Sequence, residues 1–454
     1  MKLNLQFIGA TGTVTGSKYL LTTNESKVLI DCGLFQGLKV MRERNRKPLP
    51  FRENQIDAIV LTHAHLDHSG FIPLIVKNGF KGSIYCTPAT NALCDILLPD
   101  SGHLQEEDAE FANKHKFSKH SPALSLYTEK DARTSLKYLK NVEFNKKVKI
   151  AKDISAEFFP AGHILGSSIV RLSINGIVVT FSGDIGRQKN TTHFPPSSIP
   201  NTDYLILEST YGDRVHSDEN PEEVIEKIII DTIQRGGRLL IPSFAVGRAQ
   251  QILYLIYKLQ KRNSIPEIPV FVDSPMASEA TKIFLDYSKE SKIPESECRE
   301  FSRIAKFIES AKDSKNLSED KTPSIIISAS GMATGGRVLH HLKIIAPNPK
   351  NSILFAGYQA PGTRGEAMVK GNKLIKIHGE QIPVNAKVFQ LDTLSAHADS
   401  EEIITWLKTF QNPPKTTYIT HGEPSASETM RKKIREELGW DSTVPDYLEE
   451  VELH

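Results

Sequence analysis

Four side chains able to bind a metal ion crowd into six positions of this chain, His63-Ala64-His65-Leu66-Asp67-His68. They follow the apolar run Ile59-Val60-Leu61 and precede Ser69-Gly70-Phe71-Ile72, a pattern of strand, tight loop and helix. In extended backbone, side chains two residues apart point the same way, so His63 and His65 suit one ion. Asp67 and His68, where the chain turns into the helix, aim elsewhere and suit a second. Imidazole with carboxylate, and no thiolate, fits zinc in an open, catalytic coordination. Further donors recur just beyond strand-like runs: His163 in Pro160-Ala161-Gly162-His163, Asp184 in Ser182-Gly183-Asp184, and His421 in Ile419-Thr420-His421. Counting ligands assigns His63, His65 and His163 to one metal and Asp67, His68 and His421 to the other, with Asp184 as the bridge. Two ions about 3.5–4 Å apart would hold a hydroxide between them and clamp both oxygens of a displacement at phosphorus.

The elements that must position these donors divide the chain. Its 454 residues leave room for two or three domains. The 56 Lys and Arg against 54 Asp and Glu do not mark a nucleic-acid binder by net charge, although a local basic groove is compatible with that balance. Cys32, Cys86, Cys94 and Cys298 lack a paired spacing, so neither a zinc ribbon nor a disulfide framework is indicated, and Cys32 reads as a small buried residue. No signal-peptide pattern opens the sequence and no apolar run approaches a membrane span, so a cytoplasmic protein without membrane contact is expected.

Leu3-Leu5-Phe7, Tyr19-Leu20-Leu21 and Val28-Leu29-Ile30 alternate like a hairpin-rich sheet, with more strands expected at 83–86, 157–160, 169–174 and 177–181. From Glu208 the pattern changes. Helices are expected over 221–235, 248–260 and near 279–287, alternating with strands over 238–241, 270–272 and 324–328. Such alternation argues for βαβ units and a mostly parallel sheet. Late in the chain His397, in Leu394-Ser395-Ala396-His397, and His421 each follow an extended segment, as His63 does. The α/β block is therefore read as an insertion at 209–376, within a first domain made of 1–208 and 377–454.

Together these motifs resemble the metallo-β-lactamase superfamily, specifically its β-CASP branch of RNA- and DNA-processing nucleases. That branch includes the nuclease subunit of the eukaryotic cleavage and polyadenylation specificity factor and its bacterial relatives. Asp31 matches the first superfamily motif, the His63 to His68 stretch the second, His163 the third and Asp184 the fourth. Glu208 resembles the branch's motif A, His397 motif B and His421 motif C. The resemblance implies an α/β fold, an αββα sandwich carrying an inserted α/β β-CASP domain. It also implies two Zn2+ ions (Mn2+ as the alternative), a single-stranded RNA substrate and a homodimer. Compared with longer archaeal members, a chain running from Met1 to His454 is expected to lack their additional RNA-binding domains.

Roles follow from the chemistry of each group. Asp67 ligates and orients the attacking hydroxide. His397 donates a proton to the departing ribose 3′-oxygen, with Glu208 fixing its ring and favouring the imidazolium. Asp31 lies behind the ligands and orients one of them. Ser330 and Gly331, in a small-residue loop before a helix, offer amide hydrogens to phosphate, with Arg248 and Arg337 as charged partners. The expected activity is mainly endonucleolytic hydrolysis leaving 5′-phosphate and 3′-hydroxyl ends; a 5′-to-3′ exoribonuclease and a non-catalytic RNA-processing subunit are the alternatives. A small-ester hydrolase is disfavoured by the inserted block, and an inactive subunit by the full ligand set. His103, His115 and His120 read as surface or channel-lining residues rather than ligands. At most one of His340 and His341 faces a cleft, and Lys146 to Lys149 reads as a solvated strand edge.

Overall fold

The computed structural model describes residues 2–116, 120–360 and 362–454. Two compact units partition the chain: Met1–Val215 with His397–His454, and His216–Ala396. These boundaries fall later than the expected 208/209 and 376/377. The strand Lys387–Gln390 is the reason at the second boundary, because it pairs in parallel with Ser352–Phe355 and so belongs to the inserted unit.

The first unit holds two seven-stranded sheets. One contains β1 (Asn4–Phe7), β2 (Tyr19–Thr22), β3 (Lys27–Ile30), β4 (Ala58–Val60), β5 (Ser83–Cys86), β6 (Leu139–Asn141) and β22 (Glu450–Glu452), in the order β22-β1-β2-β3-β4-β5-β6. The other contains β7 (Val148–Lys149), β8 (Ile154–Pro160), β9 (Ser168–Ile174), β10 (Ile177–Phe181), β11 (Tyr204–Glu208), β20 (Thr416–Thr420) and β21 (Ser442–Thr443), in the order β21-β20-β11-β10-β9-β8-β7. The period-two apolar pattern of β1 puts Leu5 and Phe7 inward. They join Val28, Ile30, Phe158, Val170, Phe181 and Tyr418 in one buried cluster drawn from both sheets. On the far side of the second sheet, Leu205, Leu207 and Ile419 pack with Trp406 of helix Ser400–Leu407 and Met430 of helix Pro424–Leu438. Each fully buried side chain of this size contributes about 1.5–3 kcal/mol. Helices Ile72–Lys77, Pro88–His115 and Glu129–Ser135 gather beside the first sheet, completing αββα layering.

Helix Pro88–His115 was not foreseen. Thr87 caps it, its hydroxyl accepting the Thr90 amide at 3.3 Å, and Pro88 fits the first turn. Pro99 and Gly102 interrupt its pattern from within, and a Cβ on Gly102 would stand 2.7 Å from the Glu129 amide nitrogen. The glycine lets the next helix approach. His103, His115 and His120 are exposed, as expected.

The inserted unit has one six-stranded parallel sheet: β12 (Leu239–Pro242), β13 (Val270–Asp273), β14 (Ala305–Phe307), β15 (Ile325–Ser328), β16 (Ser352–Phe355) and β19 (Lys387–Gln390), ordered β14-β13-β15-β12-β16-β19. A hairpin of β17 (Leu374–Ile377) and β18 (Glu380–Pro383) stands apart. Leu239, Ile241, Ile325 and Ile327 face one buried cluster while Leu240, Ile326 and Ile353 face another. Both faces are thus covered, as a parallel sheet requires. Helix Pro275–Asp286 starts before the expected residue 279, because the Ser274 hydroxyl caps it by accepting the Ala277 amide.

Candidate metal centre

Parallel pairing explains why distant donors meet. β10, β11 and β20 lie side by side and run the same way. Asp184, Glu208 and His421, at or just beyond their carboxyl ends, are therefore neighbours despite their separation in sequence. His63 follows β4, and His65 is the residue preceding the short helix Leu66–Ser69 that carries Asp67 and His68. His163 lies in the turn between β8 and β9.

Donor atoms of His63, His65, His163 and Asp184 lie within 4.8 Å of one another, and so do those of Asp67, His68 and His421. His65 Nδ1 is 3.2 Å from His63 Nε2 and 3.1 Å from His163 Nε2. In the second set, His68 Nε2 and His421 Nε2 are 3.1 Å apart, and Asp67 Oδ2 is 3.5 Å from His421 Nε2. Asp184 serves both sets: Oδ2 is 3.4 Å from His63 and 3.5 Å from His163, and Oδ1 is 3.2 Å from His68.

These residues fit divalent cations. Zinc–nitrogen bonds of 2.0–2.1 Å in a tetrahedron put neighbouring donors about 3.3 Å apart, close to the observed spacings. A proton can bridge one pair of imidazole nitrogens, but not three nitrogens and a carboxylate oxygen at once. Asp184 Oδ1 is moreover buried, with His68 Nε2 3.2 Å away but no well-directed hydrogen bond among the described residues, a costly state that a cation relieves. The outward nitrogens are held by protein oxygens: His68 Nδ1 by Asp31 Oδ2 at 2.7 Å, His63 Nδ1 by Thr62 Oγ1 at 3.1 Å and His421 Nδ1 by Thr210 Oγ1 at 3.0 Å. Such partners turn the Nε2 lone pairs inward.

Electrostatics separate the two sets. Burial, then the positive charge of His68, holds His63 down to about 3, and burial also lowers His65 and His163. These three rings are neutral and ready to ligate. His68 behaves oppositely: burial opposes its charge, but Asp184 and Asp31 raise its pKa well above the usual imidazole value. Asp184 is buried and Asp67 half-buried, yet the surrounding histidines hold both carboxyls low.

His397 stands beside this cluster, its Nδ1 3.1 Å from Glu208 Oε1 and 3.9 Å from Asp184 Oδ2. Burial opposes its charge, but Glu208 and then Asp184 push its pKa up to about 9. Glu208 is itself fixed, accepting the Ile185 amide at 2.7 Å and the Thr210 amide at 3.1 Å. The side chains of Asp67 and His397 remain 20% exposed, whereas those of His63, His68, His163, Asp184 and His421 are at most 3% exposed. A substrate would therefore meet Asp67 and His397.

Asp31 is buried with φ of 54° and accepts the Thr62 amide at 2.8 Å and the Thr62 hydroxyl at 2.9 Å besides bonding His68. The sequence does not mark Thr62 and Thr210 as partners of the histidines. A threonine directly before His63 at the end of an apolar run was the only available signal. Gly33 was also passed over; a Cβ there would fall 1.6 Å from the Asp67 carbonyl oxygen.

The four residues expected to touch phosphate lie in the inserted unit. The Ser330 hydroxyl accepts the Thr334 amide at 3.1 Å, within its own loop. Arg248 opens helix Arg248–Lys261 and donates to Gln251 at 2.9 Å. Arg337 donates to Asp273 Oδ1 and to the carbonyls of Ile308 and Glu309, at 2.7–3.0 Å, so its guanidinium ties the loop to the sheet. His341 is buried on Asp273 at 2.7 Å while His340 is exposed, agreeing with the expectation that at most one of them faces a cleft.

Comparison with known proteins bears on both units. The metallo-β-lactamase superfamily profile matches residues 11–219, the β-CASP domain profile 249–368, and the Zn-dependent metallo-hydrolase RNA specificity domain profile 381–445. Ribonuclease TTHA0252 of Thermus thermophilus is 34% identical over 423 residues, covering 91% of this chain and 92% of that protein. Transcription termination factor FttA of Methanosarcina mazei is 33% identical over 466 residues, covering 98% of this chain and 71% of that one. A crystal structure of a protein of unknown function from Enterococcus faecalis V583 has the same fold, with a TM-score of 0.58 at 15% identity over all of both chains. The chain belongs to the β-CASP branch of the metallo-β-lactamase superfamily.

Proposed function

We propose that this protein is a zinc-dependent ribonuclease that cleaves single-stranded RNA, mainly at internal phosphodiesters, leaving 5′-phosphate and 3′-hydroxyl ends. The observation that carries the reading is Asp184, whose two carboxylate oxygens face two separate donor sets. Two Zn2+ ions held there, or Mn2+ in their place, would lower the pKa of water towards 7 and offset phosphate charge. Asp67, partly exposed and held ionised by its histidine neighbours, orients the attacking water through its carboxylate. His397 carries a proton at neutral pH and delivers it to the departing 3′-oxygen, and Glu208 keeps the ring turned and charged. Ser330, Gly331, Arg248 and Arg337 contact the RNA phosphates, with Arg337 also bonded to Asp273. A homodimer in the cytoplasm accompanies this reading.

The test uses a circular single-stranded RNA, which only internal cleavage can open. Purified protein should carry about two zinc ions per chain and linearise the circle, with chelation and Asp67→Ala each abolishing the reaction. Cleavage that survives both treatments overturns the metal mechanism. A circle left intact while a linear 5′-phosphorylated RNA is degraded overturns the endonucleolytic assignment alone.

A further inference from the structure

Two large aromatic side chains of the inserted unit are left substantially open to solvent, Phe244 at 48% and Tyr358 at 43%. Neither is placed at random. Phe244 follows β12 and Tyr358 follows β16, and these strands are hydrogen-bonded neighbours running in parallel. Both rings therefore belong to loops at the carboxyl ends of adjacent strands, the edge where parallel sheets commonly build ligand sites. The third loop at this edge, after β15, carries Ser330 and Gly331, and β15 is the other neighbour of β12.

The three loops are joined. The position of a Cβ on Gly331 is 3.0 Å from Phe244 Cδ2, so the glycine lies directly against the ring. The Gln359 amide donates to the Gly331 carbonyl at 3.2 Å and to the Gly357 carbonyl at 3.3 Å, linking the β15 and β16 loops. Arg248 Nη2 is 3.9 Å from the position of a Cβ on Gly357, which brings a cation to the same edge. Exposed aromatic faces, a guanidinium and a glycine-lined loop together match the two halves of a nucleotide, a flat base and an anionic backbone.

We infer that Phe244 and Tyr358 form a stacking platform for the nucleobases of the bound RNA strand, an inference that rests on the ribonuclease reading above. Every base presents a π face, so the platform grips RNA without choosing its sequence. Phe244 stacks one base beside the phosphate held by the Gly331 loop, and Tyr358 takes a neighbouring base.

The test measures anisotropy of a short fluorescent single-stranded RNA in EDTA, where cleavage does not run, against an oligonucleotide of the same ribose-phosphate backbone without bases. The wild-type protein should bind the base-bearing strand about tenfold more tightly than the abasic one. Phe244→Ala and Tyr358→Ala should each lose much of that preference, and Phe244→Tyr should keep it. With metal restored, Phe244→Ala should raise KM by more than it lowers kcat. The inference is overturned if the alanine variants retain the wild-type preference, or if they weaken binding to both strands equally. Should Phe244→Ala melt cooperatively at a much lower temperature, Phe244→Leu and Tyr358→Ala carry the same comparison. A wild-type protein that neither binds nor cuts any RNA defeats the ribonuclease reading itself, an outcome distinct from RNA cleavage without base preference.

Discussion

Replacing Asp31 by asparagine isolates the control of one ligand's tautomer. Asparagine tolerates the left-handed backbone at this position, φ 54°, and its carbonyl still accepts the Thr62 amide now bound at 2.8 Å. The change falls on Oδ2, which becomes an NH2 group facing His68 Nδ1 at 2.7 Å. A donor there drives the His68 proton from Nδ1 to Nε2, the nitrogen that must offer its lone pair inward. One charge-assisted hydrogen bond, about 1.5–3 kcal/mol, is also lost. Partners of this kind are worth about 10–100-fold in metal affinity, or about 1.4–2.8 kcal/mol, so the two magnitudes agree. Zinc titration against a chromophoric chelator should therefore show weaker binding at the Asp67, His68 and His421 set, and a smaller change at the His63, His65 and His163 set. Equal weakening of both sets, or unchanged affinity at the second, refutes the reasoning.

Proton release on metal binding should also distinguish the sets. The pKa of His68 is raised well above the usual value, so at pH 7 the ring is charged and must shed a proton to ligate, while His63, held near 3, sheds none. Calorimetry in buffers of different ionisation enthalpy should then report about one proton for the second ion and a second-site affinity that climbs with pH; the first site should be flat from pH 6 to 8. Glu208→Gln removes the charge that contributes most to raising His397 to about 9, so the alkaline fall of kcat should move to lower pH. An unshifted alkaline limb would exclude His397 as the proton donor. Gly33→Ala places a carbon 1.6 Å from the Asp67 carbonyl and forces the two loops apart, so metal content and cleavage should drop together; a fully loaded, active variant would contradict the close approach.

What the sequence disclosed depends on how local the signal was. The cluster from His63 to His68 is legible because its donors are adjacent and follow an apolar run, and Asp184 and His421 are legible because each ends a strand. The parallel sheet of the insertion follows from apolar periodicity, which the chain writes plainly around β12, β13 and β15, whereas the αββα layering was implied by the family resemblance that the metal-ligand motifs carry. Helix Pro88–His115 was hidden because Pro99 and Gly102 sit inside it and its outer half is polar. Thr62 and Thr210 act only once remote strands have brought histidines to them. Arg337 is tied to Asp273, 64 residues upstream, a pairing no local pattern announces. The close of the insertion was placed too early because β19 lies beyond a hairpin and rejoins the sheet edge beside β16.

The parallel pairing of β20 with β11 carries a consequence for biosynthesis. Ribosomes make His421 only after the entire inserted unit has left the peptidyl-transferase centre, and until then the set containing Asp67 and His68 is one donor short. Until β20 pairs with β11, Asp67, His68 and Asp184 stand without the imidazole of His421, so this donor set is completed by one of the last strands to be made.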